Sequence, residues 1–182
     1  LMYISFIKPL FDRLIALFLL ILISPIMVIL GILLWLNLGE NPLFFQKRAG
    51  YRCQVFDVIK FKTMTSIKHE NSILLEDSLR LTRFGKFIRG LSLDELPQLI
   101  NVLCGQMSLI GPRPFMSEYL EIYTNEELHR HDVRPGITGW AQTNGRNNLS
   151  WKQKFKLDLY YVDNISLNLD IKIALMTIMK VL

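Results

Sequence analysis

Adjacent carboxylates in the string Ser92-Leu93-Asp94-Glu95-Leu96-Pro97 are the residues best placed to do chemistry in this 182-residue chain. Proline lacks an N–H and is accepted in the first turn of a helix, so Pro97 sets Asp94 and Glu95 at a helix start. There the positive end of the helix dipole favours their ionised forms, by up to about 1 kcal/mol each at the surface. Paired ionised carboxylates can hold Mg²⁺, a hard cation that takes carboxylate and phosphate oxygens. One of them can also be a nucleophile, as in enzymes that form an aspartyl phosphate. Ser92 with Glu95 matches a capping box equally well, in which case the pair would only close the helix start.

Cationic residues surround this string in the sequence. Lys60, Lys62, Arg89, Arg113, Arg134 and Arg146 fall in turns and at element ends. Arg113 lies between Pro112 and Pro114, which restrict its backbone and can aim a guanidinium fork at phosphate. Taken singly, each of these cations reads as a solvated surface charge. Glycine-rich phosphate loops are absent, and His69, His129 and His131 have no cysteine partners at zinc spacing. His129 and His131, two residues apart, do not share a helical face and read as structural or substrate-adjacent. Cys53 and Cys104 lack metal or redox spacing and read as reduced.

The elements that must carry these residues are unequal in character. The chain is 51% apolar with a net charge of +5, a balance that suits anionic partners such as nucleic acid, anionic lipid or phosphorylated substrates. Leu1 precedes Met2, which reads as the natural start. Leu14 to Leu36 is 23 positions without a charge, and about 20 apolar residues suffice to cross a bilayer core as a helix. The run is too long for a cleavable signal, and no small-residue cleavage site follows it. Ser24 and Pro25 bisect it. Pro25 cannot bond the carbonyl of Ile21, and the Ser24 hydroxyl is adjacent to satisfy it. Lys8 and Arg13 precede the run, while Lys47, Arg48 and Arg52 follow it. Positive charge marks the cytoplasmic side, so a spanning helix would export one cluster and a re-entrant hairpin would export neither.

Further along, Val55–Met64 reads as a strand, Thr82–Gly90 as a short basic helix and Leu96–Cys104 as a helix closed by Gly105. His69–Ser78 reads as a polar loop. Gly39–Pro42, Gly111–Pro114 and Pro135–Gly139 read as turns. Phe115–Tyr123 and Glu126–His131 read as short helical stretches. An amphipathic helix starts at Ser150 and runs to about Val162, and a last apolar helix covers Leu167–Leu182. The fold class is therefore α+β, mostly helical: residues 1–38 a membrane element, residues 39–182 a small domain lying against the membrane.

Five strings carry a resemblance to a known family: FKTM (61–64), SLDELPQLINVL (92–103), MSLIGPRP (107–114), RPGITGWAQTNGRN (134–147) and LDIKI (169–173). Together they resemble the bacterial sugar transferases, the monotopic phosphoglycosyl transferases, and the match includes the Ser24-Pro25 helix break. The resemblance implies a re-entrant membrane helix broken at Ser24-Pro25, with a cytoplasmic catalytic domain and interfacial helices on the bacterial inner membrane. It implies that Asp94 attacks the sugar-linked phosphorus of a UDP-sugar, releasing UMP and leaving a phosphosugar-aspartate. A polyprenyl (undecaprenyl) phosphate then takes the phosphosugar. Glu95 matches the dyad partner and would help Asp94 hold Mg²⁺. Lys60, Arg89, Arg113, Arg134, Arg146 and Asp170 are the substrate-binding candidates. The implied partners are the UDP-sugar, the polyprenyl phosphate, the phospholipid membrane and downstream glycosyltransferases, with no nucleic acid. Two readings compete: a non-catalytic, membrane-anchored basic module that binds anionic lipid, and a nucleic-acid binder. The first leaves Asp94-Glu95 unexplained, and the second has no recognisable fold motif.

Overall fold

A computed structural model describes residues 2–67, 76–145 and 149–181. After a wide turn at Tyr3–Ile7, helix α1 runs from Lys8 to Leu38 and ends at Gly39, whose left-handed conformation (φ 67°) halts it. At about 1.5 Å per residue its 31 residues exceed the thickness of a bilayer core. Pro25 lies inside α1, and the Ser24 hydroxyl donates to the Ile21 carbonyl at 2.9 Å. That carbonyl is the one Pro25 leaves without an N–H. The expected break is thus a missing backbone bond within a continuous helix, not two separated helices.

Strands β1 (Leu43–Ala49) and β2 (Val55–Phe61) form an antiparallel hairpin with Leu43 opposite Phe61 and Ala49 opposite Val55. The sequence reading found β2, three residues too long, and missed β1. Helix α2 (Arg83–Gly90) follows, its first turn capped by the Thr82 hydroxyl. A single 3₁₀ turn at Leu93–Glu95 then leads to α3 (Gln98–Leu103). Two three-residue strands, β3 (Ser108–Ile110) and β4 (Gly136–Thr138), pair in parallel. The expected turn at Pro135–Gly139 therefore contains a strand, because its backbone finds a distant partner. Helix α4 (Trp151–Asp163) opens on a complete Ser150/Gln153 capping box, and α5 (Leu167–Val181) closes the described chain.

Three apolar clusters hold these elements together. Ala16 of α1 joins Val58 of β2, Leu99 and Val102 of α3, and Met107. Leu30 and Leu34 of α1 join Phe61 of β2 and Ile88 of α2. Val133, Tyr161, Val162 and Ile173 knit the segment just before β4 to α4 and α5. Much of α1 stays uncovered: Phe18, Ile21, Leu22, Val28 and Ile29 are all more than half exposed. Leu167, Ile171, Leu175 and Ile178 form a second exposed apolar stripe along α5, at helical spacing.

Candidate active site

The hairpin and the turn before α3 build the site between them. Asn101 of α3, buried, accepts from the Ile59 N–H at 3.0 Å and donates to the Asp57 carbonyl at 2.8 Å. This clamp fixes α3, and the turn leading into it, against β2. Lys60 of β2 then reaches Glu95 at 2.8 Å. Arg113 donates to the same carboxylate, at 2.6 Å to Oε1, the oxygen that Lys60 also holds, and at 3.4 Å to Oε2. The capping box does not form. Ser92 takes a left-handed backbone (φ 57°) without capping the turn, and Glu95 is held by the two cations instead.

Electrostatics separate the two carboxylates. Burial opposes ionisation of Glu95, but Arg113 and Lys60 outweigh it and hold its pKa at about 2. Asp94 is buried, and desolvation followed by the charge of Glu95 pushes its pKa above the ordinary value, against the pull of Lys60 and Arg89. Two titratable groups driven apart in this way commonly mark a reactive site. The helix dipole contributes less than the sequence suggested, because the pair sits in its own turn ahead of a six-residue helix.

Both carboxylates line a cavity of about 750 Å³. Of the sequence candidates, Lys60, Lys62, Arg89 and Arg113 line it too. Arg134 and Asp170 do not. Arg134 donates to the Gly105 carbonyl at 2.9 Å and lies over the Tyr51 ring. Asp170 is buried and accepts from Tyr3 at 2.6 Å, Lys8 at 2.8 Å and Tyr161 at 2.7 Å. Its position ties the start of α1 to α4 and α5, so its visible work is structural, not contact with a substrate in this cavity. Arg146 and His69 lie outside the described residues. His131 is buried with Nδ1 on the Gly50 carbonyl at 3.0 Å, and His129 joins Asp132 to Asp163 at 2.7 and 2.9 Å. Both are structural. Cys53 and Cys104 are free thiols.

Several cavity residues were missed. Phe44, Gln46 and Arg48 line it from alternate positions of β1, the spacing that puts side chains on one face of a strand. Recognition of β1 would have found them. Arg130 and Asp158 form a buried ion pair at 2.7 Å, and Arg130 also donates to the Arg113 carbonyl at 2.7 Å. Arg113 is therefore held at its backbone by Arg130 and at its guanidinium by Glu95. The two motif turns around it touch because they lack side chains: a Cβ on Gly136 would fall 2.0 Å from the Gly111 nitrogen.

No group of three or more metal-ligating side chains occurs among the described residues. The dyad nonetheless fits Mg²⁺, which commonly takes one or two protein carboxylates and completes its shell with water and substrate phosphate. Glu95 would share its oxygens with Lys60 and Arg113, and Asp94 is the carboxylate without a salt bridge among the described residues.

Comparison with known proteins shows the family to which the chain belongs. Residues 3–182 match the family model described as bacterial sugar transferase. The chain is 50% identical to the uncharacterized sugar transferase EpsL of Bacillus subtilis, over 96% of this chain and 87% of that protein. It is 39% identical to the UDP-N-acetylgalactosamine-undecaprenyl-phosphate N-acetylgalactosaminephosphotransferase of Aeromonas hydrophila, over 98% of this chain and 44% of the relative. It is 37% identical to the UDP-glucose:undecaprenyl-phosphate glucose-1-phosphate transferase of Xanthomonas campestris, over 96% of this chain and 38% of the relative. The chain thus spans less than half the length of the latter two proteins. With a matching family model over nearly its whole length and a set of motif residues gathered around one cavity, the chain belongs to the bacterial sugar transferase family.

Proposed function

We propose that this protein transfers a sugar 1-phosphate from a UDP-sugar to undecaprenyl phosphate at the cytoplasmic face of a bacterial inner membrane. The observation that carries the reading is the environment of Asp94: a buried carboxylate beside Glu95, in a cavity lined by Lys60, Arg89 and Arg113. In the first step an Asp94 oxygen bonds to the sugar-linked phosphorus, and the bond from that phosphorus to the bridging oxygen breaks. UMP leaves with the electron pair. In the second step an oxygen of the lipid phosphate bonds to the same phosphorus, and the aspartyl–phosphorus bond breaks. The products are polyprenyl-diphosphate sugar and a regenerated Asp94.

Phosphoryl transfer depends on positioning and on stabilising spread negative charge. Arg113 and Lys60 are positioned by Glu95 to offset charge on the donor, and Arg89 lines the same cavity as Asp94 and acts on its charge. Glu95 and Asp94 are the residues that would hold Mg²⁺, which when bound neutralises phosphate oxygens. Desolvation keeps Asp94 poorly shielded and so more reactive once ionised.

The anchor supports the membrane half of the reading. Lys8, at one end of α1, is bonded to Asp170, and Leu34, near the other end, packs with Phe61 and Ile88. Both ends of the apolar helix are thus held by one domain. A helix tethered in this way favours the re-entrant arrangement, in which its exposed apolar middle enters one leaflet. The exposed stripe of α5 supplies a further apolar surface for the same membrane.

Incubating the protein with a panel of UDP-sugars and Mg²⁺, without lipid, tests the chemistry. One donor should release UMP and leave a phosphosugar on Asp94, detectable by intact-protein mass spectrometry. Asp94→Asn should abolish both without altering detergent extraction. Turnover that survives Asp94→Asn would refute the assignment.

A further inference from the structure

The wall of the active-site cavity holds two polar side chains that the reaction leaves unused. Gln142 lies in the single helical turn Trp140–Thr143, and neither its Oε1 nor its Nε2, both buried, has a hydrogen-bond partner among the described residues. Asp158 Oδ1 is in the same condition, while Oδ2 of that carboxylate takes both bonds from Arg130. Three buried polar atoms without partners among the described residues are costly to keep. Their retention at a cavity wall points to a ligand that completes them. Gly139 is required by the Gly111 carbonyl, which would lie 2.1 Å from a Cβ there, and the same Cβ would fall 2.8 Å from Gln142 Oε1.

We infer that Gln142 and Asp158 form the nucleoside subsite, with the Gln142 amide on the imide edge of uracil and Asp158 Oδ1 on a ribose hydroxyl. This rests on the transferase reading above and extends it to the donor's recognition. An amide side chain carries one donor and one acceptor side by side in a plane. Uracil presents the complement, an N3–H donor flanked by carbonyl acceptors. A carboxylate oxygen only accepts, and a ribose hydroxyl can donate to it. Phe115 and Ala141, which line the same cavity, give a flat base apolar neighbours.

Position favours the nucleoside over the transferred sugar. Arg113 is bonded at its carbonyl to Arg130, beside Asp158, and at its guanidinium to Glu95. The dyad and the Asp158 carboxylate therefore stand at opposite ends of one arginine side chain. A sugar is attached to the phosphorus that Asp94 attacks and stays near the dyad. Ribose and base lie beyond the second phosphorus, on the far side of that span.

The test compares UMP with ribose 5-phosphate, which lacks the base, as ligands of the full chain in detergent with Mg²⁺. Gln142→Met keeps volume and removes both polar atoms. It breaks no hydrogen bond among the described residues, so the melting temperature should stay unchanged, and Gln142→Ala is the second variant if methionine crowds the site. UMP affinity should fall about tenfold or more on losing two hydrogen bonds, while ribose 5-phosphate affinity stays within about twofold. Unchanged UMP binding, or an equal loss for both ligands, overturns the assignment of Gln142 to the base. Release of UMP from UDP-sugars by the unmodified protein is scored in parallel. If that release is present, such a result sinks only the subsite. If that release is absent and neither ligand binds, the transferase reading fails and the subsite with it.

Discussion

Replacing Arg130 by methionine should damage both stability and catalysis, for separable reasons. Arg130 and Asp158 are 1% and 2% exposed, and two N–H groups of Arg130 reach one carboxylate oxygen at 2.7 and 3.2 Å. Removing one member of such a pair leaves a buried charge, a loss of about 3–5 kcal/mol. The Arg113 carbonyl also loses its donor, at about 1 kcal/mol more. For a chain of this size each kcal/mol lowers the melting temperature by about 2–4 °C, so the variant should melt roughly 10 °C lower or more. Burial already pushes the Asp158 pKa up against the pull of Arg130. Without Arg130 it rises further, and a carboxyl with a raised folded-state pKa loses stability as pH rises through that value. The deficit should therefore be smaller at pH 5 than at pH 8. Adding Asp158→Leu removes the orphaned charge, and a buried pair replaced by apolar groups is often neutral in stability. The double variant should regain most of the melting temperature but not the activity, since Arg113 remains unsupported and the ribose contact assigned to Asp158 is gone. Thermal unfolding across pH, with UMP release in parallel, reads all of this. A single variant as stable as the unmodified protein, or a double variant that recovers UMP release, would refute the reasoning.

Arg113→Lys keeps the charge and loses the fork on Glu95, so UMP release per unit enzyme should fall about tenfold to a hundredfold, the worth of one or two charge-assisted bonds; a near-normal rate would remove Arg113 from the site. Ser24→Ala with Pro25→Ala restores the backbone bond to the Ile21 carbonyl that α1 lacks and so reinforces a helix already long enough to span, and a fraction of molecules should then expose the N-terminus outside the cell. With Cys53 and Cys104 replaced by Ser, an impermeant thiol reagent on Ser5→Cys in intact cells measures that fraction, and labelling of the unmutated anchor would contradict the re-entrant arrangement.

Local signals made parts of this molecule legible in its sequence. The apolar run of α1, the Pro97 mark beside Asp94-Glu95 and the Ser150 start of α4 each depend on neighbours within a turn or two. The parallel pair of β3 and β4 does not. Three-residue strands carry no periodicity, and their partners lie a long crossover apart. Strand β1 carries Gln46, Lys47 and Arg48 ahead of its last residue, Ala49, which obscured a hairpin whose partner β2 was read with three residues too many. Arg130 and Asp158 were illegible for another reason: a charged residue on a short or amphipathic helix reads as solvated until a second charge is found buried against it. Arg134 and Asp170 show the converse. Motif position marked them as substrate contacts, and packing put both elsewhere, Asp170 in the bond that holds Lys8.

Strand β2 links the anchor to the chemistry. Val58 shares a cluster with Ala16, on the N-terminal side of Ser24-Pro25, and Phe61 shares one with Leu30 and Leu34, on the C-terminal side. Between these two residues Lys60 extends to Glu95. The strand that seats both halves of α1 is therefore the strand that supplies a cation to the dyad. Leu99 and Val102 of α3 pack in the Ala16 cluster, while Asn101 of the same helix bonds the β2 backbone at Asp57 and Ile59. Helix, strand and dyad form one packed unit, and packed interiors transmit displacement rather than absorb it. The depth at which α1 sits in a bilayer then fixes the height of Asp94. In the proposed reaction a soluble nucleotide sugar would reach that cavity at any height, but a lipid phosphate would be confined to the headgroup plane. Changes in anchor depth should for this reason act on the second half of the reaction, the transfer to lipid, before they act on the first.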